Sequence, residues 1–141
     1  MGMNPERDNS ASALKQRLIQ GMVDYMELGG ADDVSERDPE WDAGYTQADV
    51  DACADLLDRY EATIRASDGS AAAIMQAIEH TVTALNELQY RCGQVLIETD
   101  QREYICAFME CVIVDRDVDI DALAASQGCT RHELTDTWRD W

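Results

Sequence analysis

Apolar residues recur at helical spacing along nearly the whole of this chain. Leu14, Leu18, Met22 and Tyr25 or Met26 follow at steps of three and four, which predicts an amphipathic helix over about residues 10–28, stopped by Gly29-Gly30. Val50, Cys53, Leu57, Tyr60 and Ile64 repeat the pattern over 47–66, behind a capping box formed by Thr46 and Asp49. "SDGS" at 67–70 breaks the chain, and a third helix, 70–92, gathers Ile74, Ile78, Val82, Leu85 and Leu88 on one face before Gly93 ends it. Thr99 or Asp100 is the expected cap of the fourth helix, with Asp100 and Glu103 spaced as a capping box. From Ile105 to Val114 its apolar face widens to almost the full circumference, the pattern of a central helix. Two shorter helices, about 119–126 and 130–140, close the chain, and strand patterning is confined to "QVLI" at 94–97.

The expected architecture is therefore all-α: one domain over 1–141, a bundle of four main helices with a C-terminal helical hairpin. Residues 1–9 are expected to be disordered. The stretch 31–45, "ADDVSERDPEWDAGY", has Pro39, Gly44 and no period, and reads as a long acidic loop that Trp41 and Tyr45 pin to the core.

Charge sharpens this picture. Asp and Glu outnumber Lys and Arg by 29 to 11 in 141 residues, a formal charge of −18, and residues 31–68 hold twelve of the acids against three bases. Such a field repels phosphate backbones and speeds encounter with basic partners, so free nucleic acid is an unfavourable ligand and a basic protein a favourable one. Apolar residues still make up 45% of the chain, enough for a packed core. No run of eighteen apolar residues predicts a membrane span, and "MGMNPERDNS" lacks a secretory signal pattern, which makes cytoplasmic residence the expectation.

Candidate chemistry is sparse. Cys53, Cys92, Cys106, Cys111 and Cys129 form an odd set without paired spacing, so neither a disulfide framework nor zinc held with His80 is predicted. Asp117, Asp119 and Asp121 begin like a calcium loop, but Ala122 stands where its glycine belongs; Asp38, Glu40, Asp42 and Asp49 imitate a second such loop with Gly44 one place late. His80 and His132 have no neighbouring nucleophile in a known arrangement, and no phosphate loop occurs, so the chain is not expected to be an enzyme and no cofactor is implied. Residues 120–138, "IDALAASQGCTRHELTDTW", carry the letters of a helix-turn-helix, with Gly128 at the turn and Leu134 and Trp138 as anchors. Its cations, Arg131, His132 and Arg139, are opposed by Glu133, Asp136 and Asp140, which favours a structural hairpin over a DNA reader.

Two segments stand out by wording. "LIETDQRE" at 96–103 includes Glu98, Thr99, Asp100, Arg102 and Glu103, and "WRDW" at 138–141 includes Trp138, Arg139 and Trp141. Arg102 is expected to bridge a carboxylate near the C-terminal helix, and the two tryptophans to share a face that docks on the bundle with Arg139 turned elsewhere. The pair of segments reads either as a tertiary clasp or as a binding site. Together, "ALNELQYRCGQVLIETDQREYI" and "ELTDTWRDW" resemble a group of small acidic helical bacterial proteins in which an LIETDQRE-like segment precedes a DITxxWRxW ending. The chain departs from that pattern by its "DALAASQGCTRH" hairpin and by LTDTW in place of the DIT form. Some members look like immunity or interaction proteins, so the resemblance implies a protein-binding role.

Three functions follow as expectations. The first is an immunity- or antitoxin-type inhibitor that meets a basic partner through Asp32, Asp33, Glu36, Asp38, Trp41 and Tyr45. The second is a regulator or adaptor using the 120–138 hairpin, and the third a helical module that self-assembles through Trp138 and Trp141.

Overall fold

The computed structural model describes residues 10–141, so the expectation of disorder for 1–9 falls outside the described residues. Four long helices, α1 (Ala11–Leu28), α2 (Gln47–Ala66), α3 (Ala71–Arg91) and α4 (Thr99–Asp115), are followed by a short α5 (Ile120–Ser126) and a 3-10 turn at Arg131–Glu133. No strand occurs among the described residues, and "QVLI" is turn and bend instead. The fold is the all-α bundle that the hydrophobic period predicts.

Local chemistry sets the helix limits. Ser10 and Ser70 each accept from the N–H three residues on, 3.2 Å away in both cases, and start α1 and α3. Thr46 donates its N–H to Asp49 at 2.9 Å and opens α2. At α4 the capping residue is Glu98, whose N–H meets Gln101 Oε1 at 3.1 Å, so Asp100 and Glu103 do not form the box their spacing suggested.

Contacts along the helices give their directions. Leu14 and Arg17 share a cleft with Tyr104 and Ala107, and the Lys15–Asp58 ion pair ties α1 to α2. Tyr60 donates its hydroxyl to the Met109 carbonyl at 2.8 Å while Arg116 reaches Ser67 O at 2.7 Å, so α2 and α4 run parallel. The helices thus run up, down, up and down. Val50, Cys53, Leu57, Tyr60 and Ile64 of α2 meet Ile105, Phe108, Met109 and Val112 of α4 in the core, with Tyr60 and Phe108 tilted against each other at 6.3 Å.

The C-terminal hairpin differs from expectation in its second arm. Residues 130–140 form no α-helix: the 3-10 turn is followed by overlapping turns, with Asp136 N–H bonded to Glu133 O and the Trp138 and Arg139 N–H groups both on Thr135 O. α5 and these turns pack against α4, with His132 beside Glu110 and Thr135 beside Cys106. This cover is why the apolar face of α4 extends almost all round.

Gly29 closes α1 at φ +58, and the Trp41 ring lies where its Cβ would be, with the nearest ring carbon 2.6 Å away. Gly30 is also left-handed, at φ +87, but faces open space. Gly29→Ala is expected to lose more stability than Gly30→Ala in urea unfolding, because both incur the ~1–2 kcal/mol left-handed penalty and only the first displaces Trp41.

Candidate functional site

Two regions carry the residues that the sequence singles out. The first is the loop between α1 and α2. Trp41 donates Nε1–H to Met26 O at 3.0 Å and stands edge-on to Tyr25 with centroids 4.9 Å apart. Tyr45 is buried, donates its hydroxyl to Met22 O at 2.7 Å, and burial pushes its ionisation up to about 12. Both aromatics are inward pins, and Tyr45 offers no surface for a partner to grip. Arg37 adds a third tie, to Glu27 O.

The carboxylates of this loop fold its backbone locally. Asp33 accepts from Ser35 N at 2.8 Å and Glu36 N at 3.2 Å, and the Ser35 hydroxyl and these N–H groups hold its carboxyl below the ordinary range. Asp38 accepts from Glu40 N at 2.9 Å, and Asp42 from Gly44 N at 2.8 Å. Asp32, Asp33, Glu36 and Asp38 are all exposed, and Val34, 61% exposed, lies among them. The result is an anionic surface on a backbone fixed from beneath.

The second region joins α3, the 96–103 segment and the tail, and it is a clasp of a kind the sequence reading missed. Asn86 and Gln89 lie three residues apart on the inner face of α3, both buried. Gln89 takes the N–H of Ile97 on Oε1 at 2.8 Å and gives Nε2–H to the Ile97 carbonyl at 3.1 Å. Asn86 gives Nδ2–H to Trp138 O at 2.7 Å and accepts the Asp140 N–H on Oδ1 at 3.0 Å. Each amide satisfies one donor and one acceptor of a passing backbone, as a neighbouring strand would. The available signal was two amides at the stripe spacing of Val82 and Leu85.

Arg102, expected to make the bridge, is half-buried and makes no side-chain hydrogen bond or ion pair among the described residues. Asn86 already holds the tail. Glu98 caps α4, Thr99 is exposed in its first turn, and Asp100 and Glu103 line a cleft of about 400 Å³ with Arg17 between α1 and α4. Trp138 and Trp141 both pack on the core. Arg139 is not turned elsewhere: it lies 5.4 Å over the Trp141 ring, donates to Trp141 O at 3.0 Å and pairs with Asp136 at 2.9 Å.

Reactive groups are quiet. Burial pushes the Cys53 thiol up to about 12 and raises Cys92, Cys106 and Cys111, the opposite of what an activated nucleophile needs. Asp119 caps α5 through Ala122 N at 3.0 Å and Asp121 binds Arg131 through both oxygens, 2.9 and 3.0 Å. Among the described residues no three His, Cys, Asp or Glu side chains are placed to hold a metal ion, and no helix is long and apolar enough to cross a membrane.

One ionisable pair bridges α4 and the hairpin. His132 Nδ1 approaches Glu110 Oε1 at 2.9 Å without hydrogen-bond alignment, leaving that buried oxygen short of a donor. Burial raises the Glu110 carboxyl above 4.5, against the opposing pull of His132 and Arg131.

Fold and site together define a helical-bundle protein with an anionic loop tied by hydrogen bonds to α1. Comparison of the chain with protein-family models, with curated proteins and with solved structures finds no match.

Two outcomes follow from this geometry. Asn86→Ala is expected to cost about 1–3 kcal/mol and to shift tryptophan emission to the red as Trp138 and Trp141 gain water, while Asp140→Ala, which removes no bond to Asn86, leaves emission unchanged. Because folded Glu110 holds its proton more tightly than the unfolded chain does, its contribution to stability is greatest below the ordinary value of 4.5 and declines as pH rises through the raised one. Glu110→Gln should therefore raise the urea midpoint at pH 7 and leave it unchanged below about pH 4; a lowered midpoint at pH 7 would mean that the pair with His132 outweighs burial.

Proposed function

We propose that this chain is a non-enzymatic protein-binding module of the immunity or antitoxin type, which covers a basic surface on its partner with the 31–45 loop. The observation that carries the reading is the anchoring of that loop to α1. Its exposed carboxylates stand on a backbone held by Trp41, Tyr45 and Arg37 to three carbonyls of α1, so little ordering entropy remains to be lost when a cationic surface docks. Charge would steer the encounter, and the exposed Val34 with the outer edge of Trp41 would supply the apolar contact that Tyr45, being buried, does not.

The resemblance read in the C-terminal half, to largely uncharacterised small acidic helical proteins of which some look like immunity or interaction proteins, points the same way. The hairpin reading has less behind it. Arg131 is committed to Asp121, Arg139 to Asp136 and Trp141, and the recognition arm is a single 3-10 turn. Self-assembly through Trp138 and Trp141 conflicts with their packing on the chain's own core.

Changing Asp32, Asp33, Glu36 and Asp38 together to lysine is expected to slow association with a basic partner, recovered by low-salt pull-down and salt-gradient elution, by about tenfold or more at low ionic strength. The circular dichroism and urea midpoint should remain those of a folded bundle. An unchanged association rate in stopped flow removes the loop as the contact face.

A further inference from the structure

The outer side of the α2–α3 pair carries an open groove. A cleft of about 500 Å³ between Thr63 and Ala73 at one end and Leu56 and His80 at the other continues into a second, of about 320 Å³, towards Ala52 and Arg91. Leu56 and Arg59 line both. Residues 73–91 extend about 27 Å at 1.5 Å per residue. Two helices of that length give room for the roughly 800 Å² per partner that a specific complex covers.

Charge is unusual here. Asp55 and Arg59 on α2 and Glu87 and Arg91 on α3 are each spaced four apart with the acid first, the order that favours pairing within a helix. All four are exposed, yet none makes a side-chain ion pair or hydrogen bond among the described residues. Most of the other cations are committed: Lys15 to Asp58, Arg65 to Glu61, Arg131 to Asp121, Arg139 to Asp136, and Arg37 and Arg116 to carbonyls, whereas Arg102 is half-buried on α4. The formal charge of −18 opposes contact between two copies over most of the surface. Along this groove two acids meet two bases and the repulsion cancels.

We infer that the α2–α3 groove is a self-association face that seats a second copy of this chain across a two-fold axis near Leu56, with Asp55 of each copy opposite Arg59 of the other. An isologous contact needs a patch complementary to itself, and a base one turn after an acid on antiparallel α2 helices meets that need. The small Ala52, Ala73, Ala77 and Ala84 let the helices approach closely. Such a dimer leaves both acidic loops free and stands independently of the partner-binding reading.

Sedimentation velocity over a concentration series, at about 0.15 M salt to screen the net charge, tests the inference. The wild-type chain is expected to pass from monomer to dimer. Asp55→Arg and Arg59→Asp, each placing like charges in opposition, should remain monomeric where the wild type is dimeric, with unchanged circular dichroism. An equimolar mixture of the two variants should recover the dimer, since each chain then offers the charge the other lacks; a folding defect would not be repaired by mixing. A wild-type chain that stays monomeric throughout, a dimer indifferent to both substitutions, or a mixture that stays monomeric overturns it.

Discussion

A carboxamide on the buried face of a helix must find both a donor and an acceptor, and α3 has two such groups one turn apart. Left unsatisfied, each would cost several times what its bonds contribute. Gln89 therefore fixes where the chain passes at Ile97, and Asn86 fixes where it passes at Trp138 and Asp140. The remaining arrangement follows from these two crossings. With Ile97 held, Glu98 is in position to cap α4, and α4 enters the bundle between α1 and α2. With the tail held, Trp138 and Trp141 pack on the core. The distinctive wording of "LIETDQRE" and "WRDW" thus marks two crossings of one helix, and most of its side chains have other work.

Much of this was legible in the sequence, and the errors have common physical causes. The bounds of α2 were readable because an unbroken apolar stripe agrees with a capping box at its start and "SDGS" at its end. The cap of α4 was misplaced because Glu98, Thr99 and Asp100 in succession can each serve as one, and Gln101, an amide, made the selection. "QVLI" looked like a strand for a sound reason, since its inward residues do travel in a bonded segment. The partner at Ile97 is a side chain, and hydrophobic period carries no information about that. The second arm of the hairpin opens on a Thr130–Glu133 box at 3.0 Å but forms no helix beyond its 3-10 turn. Its later backbone groups are drawn sideways to Asn86, fifty-two residues away in sequence.

The candidate loop was legible as acidic and aromatic, but not in its layering. Trp41 faces inward to the Met26 carbonyl in the last turn of α1, where a helix leaves acceptors unpaired, and Tyr45 reaches one turn further back to Met22, while the carboxylates face out. The arginines follow the same logic. In a chain so rich in carboxylates, Arg37, Arg116 and Arg139 reach the carbonyls of Glu27, Ser67 and Trp141, fastening connections and chain ends where helices leave off.

The clasp on α3 recognises a path, not a set of side chains. Asn86 grips the carbonyl of residue 138 and the N–H of residue 140, groups that nearly every amino acid possesses. The evolutionary burden is accordingly lopsided: one helix position has almost no freedom to vary, whereas position 140 can drift through most of the amino-acid alphabet, proline excepted, without loosening the grip. A lineage could rewrite the surface of its tail while the tail's course over the bundle stayed the same.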